Sequence, residues 1–117
     1  VRETSLSHPG RRRPRTARLP ALRALAYHRV VALRLDDALV RDARKRLQRW
    51  EQDGRIDPRW AEEWERILAL PLSRIAKTIS SNSERGRALR QSSPFAGSLN
   101  EHERRRIAQA VEERAAR

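Results

Sequence analysis

The chain has 117 residues and carries 27 lysine and arginine side chains against 15 aspartate and glutamate, a formal net charge of +12. This length suits one small domain with a modest core. The absence of cysteine excludes disulfides and thiolate metal sites, and it fits the reducing cytoplasm. The longest apolar runs, such as residues 67–70, are too short to span a membrane, and no signal-peptide pattern is present, so we expect a soluble cytoplasmic protein. The excess positive charge favours an anionic partner, either nucleic acid or an acidic protein surface.

Residues 1–18 are predicted to be a disordered, arginine-rich tail. Prolines and a glycine interrupt the segment, and it holds too little apolar surface to offset the entropy cost of ordering. It is either a solvated tail or a basic arm that contacts the phosphates of DNA or RNA. The arginines available for such contacts are Arg11, Arg12, Arg13, Arg15 and Arg18.

Residues 19–117 are predicted to form a single all-α domain, a compact bundle of five or six short helices. Apolar residues recur at helical spacing from about 20 to 35, with Pro20 in the first turn of that helix. A second helix is capped by Asp36 or Asp37 and ends at Asp53-Gly54, where glycine favours the left-handed turn. No period-two pattern persists over four residues, so the sequence predicts no strand.

The second half of the chain continues this helical pattern. Asp57-Pro58 predicts the start of a third helix, and Pro71 ends that helix and opens a fourth. Ser83 is predicted to cap a short fifth helix. A last helix follows a capping box that we assign to Ser98 and Glu101.

The stretch 89–99 interrupts the helices and is the most distinctive part of the sequence. The fifth helix is predicted to end near Ser92 because the residue before a proline avoids helical backbone angles. Phe95, the only phenylalanine, follows Pro94. Its ring is predicted to fill the core of the domain or to anchor a partner protein.

The sequence offers little support for catalysis or metal binding. His8, His28 and His102 are far apart in sequence, and we expect each to lie at the surface or its boundary rather than to bind a metal. Ser92 and Ser93 have no base near them in the sequence, so neither is predicted to be a nucleophile. We expect no catalytic residues, no cofactor and no enzymatic activity.

Binding is the better-supported class of function. Trp60 and Trp64 lie one helical turn apart and form either the core or the wall of an interface. Arg87 and Arg90 lie three residues apart at the end of a helix, where they could bind carboxylates or phosphates bidentately. The predicted partner-binding residues are Trp60, Trp64, Arg87, Arg90, Gln91, Ser92, Pro94 and Phe95.

Several of these residues belong to a pattern that extends over about residues 27–111. It comprises Trp60-x3-Trp64-x3-Leu68-x2-Pro71, then Leu89-Arg90-Gln91-Ser92-Ser93-Pro94-Phe95-Ala96-Gly97, then Glu103-Arg104. This pattern resembles small helical bacterial proteins encoded beside nucleotidyltransferase-like genes. Those proteins are similar to antitoxins of modules whose toxins are Men-type or AbiE-like nucleotidyltransferases.

The resemblance implies an antitoxin that neutralises a nucleotidyltransferase toxin acting on tRNA. It would bind the toxin, as part of an oligomer or a hetero-oligomer, and obstruct its active site or substrate surface. Arginines such as Arg87 and Arg90 would meet the acidic metal-binding carboxylates of the toxin. The alternative function is a nucleic-acid-binding transcriptional regulator, which could also repress its own operon.

Overall fold

The computed structural model describes residues 15–116 and the side chains of residues 18–116. These residues form six α-helices and no strand, which confirms the all-α prediction. The helices are α1 (Arg15–Arg34), α2 (Asp37–Gln52), α3 (Pro58–Leu68), α4 (Leu72–Ile79), α5 (Glu84–Arg90) and α6 (Glu101–Ala115). The predictions made for His8, Arg11, Arg12 and Arg13 lie outside the described residues.

Helix α1 begins earlier than the sequence predicts. It starts at Arg15, so Pro20 lies inside the helix and the predicted boundary between tail and domain, after Arg18, falls within it. Proline lacks the N–H that would bond to the carbonyl four residues earlier, but the first four amides of a helix have no such partner in any case. Pro20 is the sixth residue of α1, just beyond those amides, so it removes one main-chain hydrogen bond near the start of the helix.

Side-chain caps fix the starts of several helices. The Asp36 carboxylate accepts a hydrogen bond from the Leu39 amide at 2.8 Å, and Ser83 caps α5 through the Gly86 amide at 3.0 Å. The capping box of α6 is not the predicted pair. Asn100 accepts from the Glu103 amide at 2.8 Å, and the Glu103 carboxylate accepts from the Asn100 amide at 3.0 Å.

The core forms where all six helices and the 91–99 turn meet. Trp64 and Phe95 are both fully buried, and their rings meet edge to face with centroids 6.1 Å apart. The structure therefore places Phe95 and Trp64 in the core, and a partner cannot reach either side chain in this fold. Trp60 is half-buried and packs against the same core.

Tyr27 holds the 91–99 turn against α1. Its hydroxyl donates to the Phe95 carbonyl at 2.7 Å and accepts from the amides of Ser98 and Leu99 at 3.1 and 3.2 Å. This explains why Ser98 does not cap α6: its amide belongs to the turn that Tyr27 stabilises. Helix α1 also packs against α4, α5 and α6, so it is the element around which the second half of the chain is arranged.

Candidate functional site

The structure separates the eight residues that the sequence predicted to bind a partner. Three lie in the core, namely Trp64, Pro94 and Phe95, and Arg90 is also buried, with 6% of its surface exposed. Trp60, Arg87 and Ser92 are partly buried, and Gln91 is exposed. Close packing leaves these core side chains no surface to offer in this fold, which favours the core alternative that the sequence left open for Trp64 and Phe95.

Arg90 has a structural role that the sequence does not reveal. Its Nη1 atom donates to the carbonyl oxygens of Ile79 and Ser81 at 3.2 and 2.7 Å, which ties the end of α5 to the turn after α4. Its Nη2 atom is buried and has no hydrogen-bond partner. Burial, followed by the charges of Arg87 and Arg29, lowers the pKa of Arg90.

A cleft of about 510 Å³ lies between α1, the turn after α5 and α6, and we call it the α1–α6 cleft. Its apolar walls include Tyr27, Ile107 and Trp50, the last contributed by α2. The charged residues that line it are Arg23, Arg90, Arg104, Arg105 and Glu101. Four arginines against one carboxylate make the cleft positive.

Ion pairs neutralise only part of this charge. Arg23 pairs with Glu112 at 2.7 Å, although its Nε atom is buried without a partner. Arg104 and Arg105 share Glu101 at 3.8 and 3.4 Å, and their side chains remain 57% and 76% exposed. These two arginines are therefore free to contact a partner at the edge of the cleft.

A second, smaller cavity of about 250 Å³ lies between α1, α5 and the turn before α5, and we call it the α1–α5 pocket. Arg18, Arg87, Arg90 and Asn82 line it together with Ala21, Leu22 and Leu25. No acidic residue lines this pocket within the described part of the chain. Arg90 lines both cavities and so lies between two positive surfaces.

The structure also brings together a histidine and a serine that the sequence analysis kept apart. His28 is 3% exposed, so its predicted place at the surface is wrong; its Nε2 atom lies 2.7 Å from Oγ of Ser93. The Nδ1 atom lies 2.7 Å from the Ala24 carbonyl, which can only accept a hydrogen bond, so Nδ1 carries the proton and Nε2 accepts from the serine. His102 is exposed, as predicted.

This pair is poorly suited to nucleophilic catalysis. Burial lowers the pKa of His28 to about 4, which makes the imidazole a weak base near neutral pH. Ser93 is itself 4% exposed, and its hydroxyl also accepts a hydrogen bond from the Phe95 amide at 3.1 Å. The two side chains hold the turn after α5 against α1.

Within residues 15–116, no three histidine, aspartate or glutamate side chains are grouped so as to hold a metal ion. In the same part of the chain, every helix is too short or too polar to cross a bilayer. No protein-family model, curated protein or solved structure matches this chain.

Sequence analysis missed Arg23, Trp50, Arg104 and Arg105 as site residues. Helical spacing carried a usable signal for one of them, because Arg23 and Tyr27 lie four residues apart on one face of α1. No sequence signal places Trp50 of α2 beside the cleft that α1 and α6 line, because this arrangement depends on tertiary packing between distant segments.

Proposed function

We propose that this chain is a non-catalytic binding protein, the antitoxin of a nucleotidyltransferase-type toxin–antitoxin module, and that it neutralises its toxin by direct contact. The resemblance of the 60–71 and 89–97 motifs to such proteins suggests the partner. The α1–α6 cleft supports the mode of action, because it combines exposed arginines with aromatic and aliphatic walls. Arginine and aromatic side chains dominate the binding energy of protein interfaces.

The partner surface that this cleft would fit is acidic. Arg104 and Arg105 have only one nearby carboxylate, Glu101, at distances longer than a strong ion pair. Carboxylates of a nucleotidyltransferase that bind Mg²⁺ would give these guanidinium groups additional partners. The antitoxin would then compete with Mg²⁺ and with the triphosphate that the metal holds.

Charge reversal at Arg87 and Arg90 is a poor test of this proposal. Arg90 is buried and bonded to two main-chain carbonyls, so a glutamate there would disrupt the fold whether or not Arg90 meets the toxin. The exposed pair Arg104 and Arg105 gives a cleaner experiment.

The first experiment is affinity capture of the tagged full chain from its native cells in moderate salt, followed by mass spectrometry. Near-stoichiometric recovery of one nucleotidyltransferase-like protein, and rescue of cells that express it, would support the proposal. Recovery of nucleic acid alone, lost as salt rises, would instead favour the transcriptional regulator. Recovery of neither would contradict both functions.

A matched pair of variants then tests the surface. Arg104→Gln with Arg105→Gln is expected to weaken toxin binding by about tenfold or more, since it removes two interface charges. Arg74→Gln with Lys77→Gln removes the same charge from exposed positions on α4 and should change binding by less than about twofold. Equal losses in the two double variants would show that net charge, and not the cleft, determines binding.

A further inference from the structure

The α1–α5 pocket concentrates positive charge without a compensating carboxylate. Arg18 lines it from α1, and Arg87 and Arg90 line it from α5. Within residues 18–116 none of these three arginines forms an ion pair with an acidic side chain. Asn82 adds a side-chain amide, whose oxygen accepts a long hydrogen bond of 3.4 Å from Nη1 of Arg87.

The buried guanidinium group of Arg90 is only partly hydrogen-bonded. Its side chain is buried, yet Nη2 has no hydrogen-bond acceptor, while Nη1 has two. A buried N–H of a charged group without an acceptor is energetically costly, and such groups are ordinarily paired. An anion in the adjacent pocket would stabilise the charge of this guanidinium group through space.

The charges around Arg90 point the same way. The two groups whose charges disfavour its protonated form are Arg87, from its own helix, and Arg29, from α1. Among the described residues, no acidic side chain forms an ion pair with Arg29, Arg87 or Arg90. The positive potential would therefore fall when an anion enters the pocket.

We infer that the α1–α5 pocket binds a phosphate group that carries about two negative charges, either a terminal phosphomonoester or part of a diphosphate. A single carboxylate would neutralise only one of three arginines, whereas a phosphomonoester brings more charge and three acceptor oxygens. The planar guanidinium group matches phosphate geometry bidentately. This inference goes beyond the proposed function, because it concerns the chain without a protein partner.

The pocket also has a shape that suits such a ligand. Its volume of about 250 Å³ admits a small anion, and Ala21, Leu22 and Leu25 form apolar walls. Apolar walls lower the local dielectric constant and so strengthen the attraction between the anion and the arginines.

The test is calorimetric titration of the full chain with inorganic phosphate and with pyrophosphate at low ionic strength. Saturable binding at one site is expected, with pyrophosphate the tighter ligand. Arg87→Gln should weaken pyrophosphate binding by about tenfold or more. The matched control is Arg85→Gln, which removes the same charge from an exposed position on α5 and should change binding by less than about twofold.

A variant of Arg18 and a pair of RNA ligands extend the titration. If Arg87→Gln does not fold, Arg18→Gln tests the same pocket from α1, because Arg18 is exposed. A short RNA with a 5′-phosphate, compared with the same RNA ending in a 5′-hydroxyl, separates the sources of the phosphate. Preference for the phosphorylated RNA indicates a nucleic-acid end, and preference for pyrophosphate over both RNAs indicates a free phosphate compound.

The pocket is not a phosphate site if neither pyrophosphate nor the phosphorylated RNA binds saturably. The same conclusion follows if the Arg85→Gln control loses as much affinity as the pocket variant. Failure of either kind leaves the proposed toxin contact unaffected, because that contact is tested at Arg104 and Arg105.

Discussion

The Nε2 atom of His28 lies 2.7 Å from the hydroxyl oxygen of Ser93, and both side chains are buried between α1 and the turn after α5. Both ring nitrogens of His28 are used, since Nδ1 donates to the Ala24 carbonyl. Protonation of Nε2 would turn an acceptor into a donor in a site that already contains the positive charge of Arg90. The imidazole of the folded chain therefore stays neutral until the pH falls to about 4.

The pH dependence of stability should report this buried histidine. The pKa of His28 falls from 6.5 to about 4 on folding, first because of burial. Between these two pKa values the unfolded chain binds a proton that the folded chain does not. The stabilising contribution of the neutral imidazole is therefore fully present above pH 6.5 and is lost as the pH falls toward 4. Between about pH 7 and about pH 5, the titration of His28 should lower the free energy of unfolding by about 2 kcal/mol. Urea denaturation at each pH measures this change.

Two glutamine variants isolate the contribution of His28 to that slope. His28→Gln should flatten the pH dependence in this range, because the titrating group is gone. His102→Gln removes an exposed histidine and should keep it. Glu103 does not contribute to the slope in this pH range. Its hydrogen bond with Arg34 lowers the pKa of the carboxyl group, so the stabilisation by that carboxylate is lost only below about pH 4.5. An unchanged slope in His28→Gln would contradict the assignment.

Local sequence signals predicted most of the fold. Asp36, Asp57-Pro58 and Pro71 marked helix boundaries because capping and proline geometry act within a few residues. The two misplaced features, the start of α1 and the cap of α6, depend on more than local preference. Ser98 satisfies the capping pattern in sequence, but its amide bonds to Tyr27, 71 residues away.

The candidate site was far less predictable. Charge and aromatic content drew attention to Arg90 and the 91–95 turn, but a sequence cannot distinguish a buried arginine from an exposed one. The cleft joins α1 to α6 and includes Trp50 from α2, and such contacts between distant segments follow from packing rather than from spacing. For the same reason, sequence spacing did not indicate that His28 and Ser93 are in contact.

The hydroxyl of Tyr27 offers a test of how the turn is held. Tyr27→Phe keeps the ring but removes one donor and one acceptor that serve three main-chain groups of the turn. The free energy of unfolding should fall by about 1–3 kcal/mol, because the partly buried amides of Ser98 and Leu99 lose their acceptor. Chemical denaturation measures the loss, and a change below about 0.5 kcal/mol would show that water replaces the hydroxyl.

Phe95 provides a test of the core. Phe95→Ala should lower the free energy of unfolding by about 3–5 kcal/mol, because the ring is fully buried against Trp64 and its removal leaves a cavity. Leu33→Ala is the control, since Leu33 is 88% exposed, and it should cost less than about 0.5 kcal/mol. Similar stabilities for the two variants would mean that Phe95 does not pack as described.

Gly86 tests how closely α5 approaches the turn that precedes it. A Cβ atom on Gly86 would lie 2.4 Å from the Ser81 carbonyl oxygen, which is main chain and cannot move without shifting its bond to Arg90. Gly86→Ala should therefore lower the free energy of unfolding by about 1–3 kcal/mol despite the better helix propensity of alanine.

Gly97 gives the comparison for this effect. There the nearest atoms belong to the guanidinium group of Arg46, with Nη2 at 2.9 Å. This group donates to the Pro94 carbonyl and to Asp42, but it ends a flexible side chain and can shift without moving the main chain of α2. Gly97→Ala should therefore cost less than about 1 kcal/mol. Thermal or chemical denaturation of the two alanine variants distinguishes a rigid main-chain contact from a yielding one. A Gly86→Ala protein as stable as the parent would show that the 81–86 turn relaxes freely, and Arg90 would then not be fixed between the two cavities.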